Sequence, residues 1–272
     1  MAPPDDEDRA SVSRVSRTKV LRWGVPLLLL AVLLIRDRQA LAAATVEWTG
    51  FEKVGCCYFA PSLDSSKRAQ VQAAWLGARQ RVARMYGALR AQPRIVIADA
   101  RTFPRFAAGT TGATHYLATG GSVTVLGPPG HNVDVIAHEL AHAELLARVG
   151  FAAITWCVPT WFDEGLAVQF DDRPVLAEAV YAERSRSGWL MPPLAQLDTH
   201  AKFFAGTRDE VRFHYAGARV AVGRWLRSMS PTEARSSIAS LDCSDGWKAR
   251  LERIAAGLAA SGGGAPAANP AF

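Results

Sequence analysis

The stretch His138-Glu139-Leu140-Ala141-His142 constrains this chain more than any other. It lies in an apolar, helix-forming run from Asn132 to Val149. Residues four apart on an α-helix project from one face about a turn apart, so His138 and His142 can hold one metal ion between them. Glu139 lies ~100° further round the helix, within reach of a water on that ion without replacing it as a ligand. Two neutral imidazoles with a carboxylate base beside them are the parts that metal-assisted hydrolysis requires. Asn132 or Asp134 is placed to cap this helix, and Gly150 to end it.

A catalytic zinc site takes three protein ligands and leaves one position for water. The candidate for the third is Glu164, in the segment from Pro159 to Val168. It follows His142 by 22 residues, room for a connection over Phe151 to Val158 and a returning helix opened by Pro159. Trp161, Leu166 and Phe170 are available to bury that helix against the first.

HELAH followed by WFDEGLA resembles the gluzincins, the thermolysin-like and aminopeptidase-like zinc metallopeptidases, over roughly Val133 to Phe170. The resemblance implies Zn2+ bound by His138, His142 and Glu164, with Glu139 as general base and a peptide or protein as substrate. It also implies an α+β fold: a zincin-like (thermolysin-type) domain with a small mixed sheet, an active-site helix and a mostly helical C-terminal half. In thermolysin an Asp four residues beyond the ligand Glu orients the first His. Here Val168 stands in that place, so the support falls to other residues, with Asp163 and Asp134 as candidates. The chain is similar to the small gluzincins, a minimal catalytic domain without room for accessory ones. In many small gluzincin-like proteins a Tyr at the start of a later helix faces the zinc. That places Tyr215, at the head of the run His214 to Leu226, as a donor to the developing oxyanion, with core packing as its competing role and His214 as its rival. His115, His131 and His200 read as surface or loop histidines.

With 272 residues, 49% of them hydrophobic, the chain has room for one globular domain plus tails. A net charge of +6 without a basic cluster interleaved with aromatics reads as solvated surface charge, not as a nucleic-acid site. Residues 1–22 are polar and charged and read as a disordered cytoplasmic tail. Trp23 to Ile35 is a 13-residue run without a charge, short of the ~20 residues of a perpendicular span. Arg36 and Arg38 follow it, and Ala40-Leu41-Ala42 has the form of a cleavage site. Residues 23–42 are thus either a signal peptide or an inner-membrane anchor. Either way the domain is exported: periplasmic, extracellular, or held at the membrane with its catalytic part outside. Four cysteines permit two disulfides in such a compartment, with Cys56 and Cys57 each pairing to Cys157 or Cys243; four buried thiols are the alternative.

Between these markers, residues 45–256 read as the metallopeptidase domain. Thr45 to Pro61 is rich in β-formers and reads as one or two strands. Asp64 to Arg90 has helical period with Asp64 or Ser65 as cap, and Arg94 to Ala98 reads as a central strand. Gly109 to Gly121, with four glycines, is a loop or a bulged strand. Ser122 to Leu126, just before the metal helix, resembles the edge strand to which a peptide substrate adds, a plain structural strand being the compatible alternative. Arg173 to Ser187 reads as an exposed helix, Gly188 to Leu197 as a loop, and residues 257–272 as a flexible tail. A different function class also fits the motifs: an exported zinc-stabilised binding module, or pseudopeptidase, that turns nothing over.

Overall fold

The computed structural model describes residues 38–109 and 111–259. The expectations for the charged segment 1–22, the apolar run 23–35 and the tail beyond 259 lie outside the described residues. No helix among the described residues is long and apolar enough to cross a membrane.

The fold is α+β. Five strands, β1 (Glu52–Val54), β2 (Cys57–Phe59), β3 (Arg94–Ile97), β4 (Gly112–Tyr116) and β5 (Ser122–Leu126), form one mixed sheet in the order β1-β2-β3-β5-β4. The central β2, β3 and β5 run parallel, and β1 and β4 are antiparallel to their neighbours. Parallel strands covered on both faces need apolar residues at every position, which is why Ile95-Val96-Ile97-Ala98 shows no alternation. Cys57, Phe59, Ile95, Ile97 and Leu126 enter the larger core cluster. Tyr58, Val96, Ala98, Val123 and Val125 join a smaller one on the other face.

On the smaller face lie α1 (Arg38–Ala44) and the single turn α3 (Phe103–Phe106), which contribute Ala43, Phe103 and Phe106. The Ala40-Leu41-Ala42 site is therefore part of a helix seated on the domain, with Gln39 donating to the Pro104 carbonyl and Arg94 to that of Ala44. The larger face carries α2 (Ser65–Tyr86) and α4 (Val133–Trp156). Asp64 caps α2 through the Lys67 amide, and Asn132 caps α4 through the Val135 amide. Asp134 instead pairs with Arg81. Gly150, at φ 82, breaks the helical path inside α4, as expected of a glycine terminator. The chain then resumes helix to Trp156 where an irregular connection was expected.

Two strand expectations need correction. Ser122–Leu126 is not the edge: β5 is bonded on both sides and every residue in it is buried. The edge on that side is β4, drawn from the glycine-rich stretch, where regular pairing from Gly112 to Tyr116 forms without need of a bulge. Four glycines mask strand propensity in a sequence, but Thr114, His115 and Tyr116 carry it here.

The C-terminal half is helical: α5 (Thr160–Ala167), α6 (Glu178–Arg186), α7 (His200–Phe203), α8 (Arg208–Arg227), α9 (Pro231–Ala239) and α10 (Asp245–Ala259). No residue of α6 is buried, and α10 carries residues 257–259 into what was expected to be tail. A capping box between Thr207 and Glu210 starts α8 earlier than its apolar pattern suggested, so Tyr215 sits two turns inside the helix and not at its head. Glycine at 165 lets α5 approach α8 closely: a Cβ there would lie 2.6 Å from Val222 Cγ2 and 2.9 Å from the Ala218 carbonyl oxygen. Cys157, at the end of α4, is joined to Cys243, ahead of α10. Cys56 and Cys57 are both free, so the expected cross-pairing does not occur. Their hairpin lies in the sheet, while the residues they would have to reach bridge two helical segments of the other half.

Candidate metal centre

His138 and His142 occupy one face of α4, and α5 returns across it to deliver Glu164. The two Nε2 atoms are 3.2 Å apart, and Glu164 Oε2 lies 3.3 Å from that of His138 and 3.6 Å from that of His142. All three side chains are buried. Two ligands held about 2.05 Å from a tetrahedral zinc stand about 3.3 Å from each other. The donor set therefore fits such an ion in chemistry and in spacing, and buried Glu164 Oε2 has no hydrogen-bond partner among the described residues.

The electrostatics of the group are those of two rings and a carboxylate pressed together. Burial alone would favour neutral His142, but the carboxylates of Asp163 and Glu164 outweigh it and hold the ring's pKa well above its ordinary value. Burial likewise opposes ionised Glu164, while His142 and His138 hold its carboxyl well below the usual range. A cation placed among the three donors would take the place of the proton that these charges favour on His142.

Support for the rings comes from outside the HELAH stretch. Asp163 Oδ1 is 2.7 Å from His142 Nδ1, which fixes the ring with Nε2 directed toward Glu164. Asp163 Oδ2 accepts a second bond, 2.7 Å, from the Tyr116 hydroxyl on β4. Of the two support residues considered from sequence in place of an Asp on the first His, Asp163 engages the second, His142; Asp134 engages neither, its carboxylate being committed to Arg81 and the Asp172 amide. Near His138 the sequence reading missed Asp171. It is fully buried, clamped by Arg173, and its Oδ2 lies 3.7 Å from His138 Nδ1. That distance exceeds a hydrogen bond, and His138 Nδ1 is otherwise unpartnered among the described residues. Asp171 lies seven residues beyond Glu164, where the chain has already left α5 through a 3-10 turn, so helical spacing from the motif does not lead to it.

Glu139 points from α4 toward the sheet edge. Its Oε2 accepts a 2.9 Å bond from the Thr114 hydroxyl, and Thr114 is 3.0 Å from Thr124 on β5. Gly112, two residues back on β4, leaves space for this carboxylate: an added Cβ would be 2.9 Å from Glu139 Oε1. The period-2 geometry of β4 thus puts Gly112, Thr114 and Tyr116 on the face toward α4, while His115 turns away to the Phe106 carbonyl.

Tyr215 of α8 stands at the same cluster. Its ring centroid is 6.0 Å from that of His138, and Phe203 packs edge-on to it at 5.1 Å. Burial, then the charges of Glu164 and Glu139, push its phenol well above the usual value, so it remains a neutral donor. The rival, His214, is buried on another side of α8 and engages the Phe203 carbonyl. Of the remaining histidines, His200 is exposed as expected, but His131 is buried, with Nε2 3.3 Å from the Leu126 carbonyl oxygen.

No protein-family model matches the chain, and no curated protein is significantly similar to it in sequence.

Proposed function

We propose that this protein is a zinc-dependent peptide hydrolase with a zincin-like domain, its metal held by His138, His142 and Glu164. The convergence of three buried donor atoms at 3.2 to 3.6 Å, with a carboxylate on the next residue of the same helix, supports this reading above others. A zinc ion there would supply Lewis acidity, acidifying a water and polarising a scissile carbonyl.

Around that ion each residue has a separable task. Glu139 takes the proton of the attacking water and returns it to the leaving amine, and the Thr114 hydroxyl keeps its carboxylate turned toward the sheet edge. Tyr215, protonated and donor-only in effect, offers its hydroxyl to the negative charge that builds on the carbonyl oxygen. Asp163 holds His142 in one orientation and in the Nδ1–H tautomer that leaves Nε2 free. Unpaired backbone groups at the edge strand β4 give an extended peptide a place to add.

The protein is exported in this proposal, through or anchored by residues 23–35. The Cys157–Cys243 disulfide supports an oxidising compartment.

The test is zinc content and peptide cleavage measured together on the purified full chain. One zinc per chain, with cleavage of a mixed peptide library that E139Q abolishes, is the expected result. Zinc without cleavage of any peptide would favour the binding module, and no bound zinc in either protein would remove both readings.

A further inference from the structure

A second group of soft donors lies in the sheet, apart from the histidine cluster. The hairpin between β1 and β2 turns through Gly55 and Cys56, with Val54 paired to Cys57. Gly55 takes φ 62 to make the turn, and the Ile95 amide of β3 fixes the Cys56 carbonyl from the other side. This rigid backbone presents two adjacent free thiols, Cys56 exposed and Cys57 at 3% exposure, with sulfurs 3.8 Å apart.

We propose that Cys56 and Cys57 form a chelating site for one soft, thiophilic metal or metalloid centre bound across both sulfurs. Two thiolates that share one tetrahedral ion at about 2.3 Å stand about 3.8 Å from each other, the separation the hairpin already holds. A direct disulfide fits the same backbone poorly. Neighbouring residues keep their Cα atoms about 3.8 Å apart, whereas disulfides span 4.4 Å or more. The contrast with Cys157 and Cys243, whose Cα atoms are 5.1 Å apart and which are bonded, is drawn within one molecule.

The two thiols also differ in readiness. The sulfur contact with Cys57 lowers the Cys56 pKa to about 6, and Arg79 on α2 adds to the shift against the opposing effect of burial. The Cys57 thiol is pushed up, first by that same contact and then by burial. Cys56 is therefore the entering ligand, and Cys57 closes the ring by giving up its proton as the second bond forms. With a trivalent arsenical oxide the balance is complete without any oxidant. Two S–H bonds break, two As–S bonds form, and the oxide oxygen leaves with both protons as water.

Phenylarsine oxide is the appropriate probe, because it has no affinity for an imidazole and carboxylate set and so reports on the hairpin alone. The full chain, its disulfide intact, is titrated with it and followed by intact mass and by loss of alkylatable thiols. One arsenical per chain should block both thiols together and should resist a monothiol competitor but yield to a dithiol. In C56S, which alters an exposed side chain, and in C57S, affinity should fall by about 10²-fold or more, as expected when a two-point attachment becomes one-point. Circular dichroism identifies any variant that has not folded, and C56S alone then suffices. An unchanged affinity in C56S, an adduct that a monothiol removes from the wild type as readily as a dithiol does, or a native Cys56–Cys57 disulfide in the purified chain would overturn the proposal.

Discussion

Glu139 differs from its neighbours in what its loss should cost. Replacing it by Gln keeps the volume and the Thr114 contact but removes the proton acceptor. We expect E139Q to lose about 10²- to 10⁴-fold in kcat for peptide cleavage while binding zinc as the wild type does. H138A should lose zinc and activity together, as a competitive chelator titration would read. Asp163 lies between these cases. In D163A the His142 ring loses its Nδ1 partner and Tyr116 loses its acceptor. Zinc affinity should then fall about 10- to 100-fold, measured by the same titration. Acid should weaken the metal as well. His142 is held protonated above its ordinary value by Asp163 and Glu164, so zinc must displace a proton there. Apparent affinity should rise with pH through and beyond about 6.5, and zinc binding near neutrality should release protons into a weakly buffered solution. An affinity independent of pH over that range would exclude His142 as a ligand.

Between elements, the decisive contact is that of α5 with α8. G165A would force a methyl group against Val222 and the Ala218 carbonyl, both parts of a well-packed helix. We expect a loss of about 1–3 kcal/mol in denaturant unfolding and a weaker zinc site, since Glu164 precedes the displaced residue. Helices were the most legible part of the sequence. Asn132, Asp64 and Pro159 mark true starts, and the apolar stripes of α2 and α4 become true core faces. The start of α8 was hidden because Thr207 and Glu210 are exposed polar residues and the first three helical positions, Arg208 to Glu210, are all charged. β4 was hidden because glycines flank it and Gly112 within it leaves room for Glu139 and Val135 of α4, and no strand pattern records a partner's need for space. The three candidate donors were legible because a single helix fixes His138 and His142 and a short motif delivers Glu164. Thr114, Tyr116 and Asp171 were not, because the sheet edge and the chain beyond α5 meet α4 only in three dimensions.

At the scale of the whole chain, the Cys157–Cys243 bond closes a loop that contains both Glu164 and Tyr215, across a sequence separation of 86. It ties the far end of α4 to the start of α10. The double variant C157A/C243A should lose about 2–5 kcal/mol of stability, visible as a lower Tm, with zinc affinity preserved where the chain remains folded. Equal Tm values for the two proteins would show that this closure contributes nothing.

The grip of Thr114 on Glu139 has a mechanical side. Thr114 belongs to β4, one of the two outer strands of the sheet, bonded to a neighbouring strand on one side only. Any extended segment that zips onto this rim stiffens the very strand on which the carboxylate leans. A strand-like peptide that pairs with this border without touching the histidines should therefore still alter how Glu139 stands.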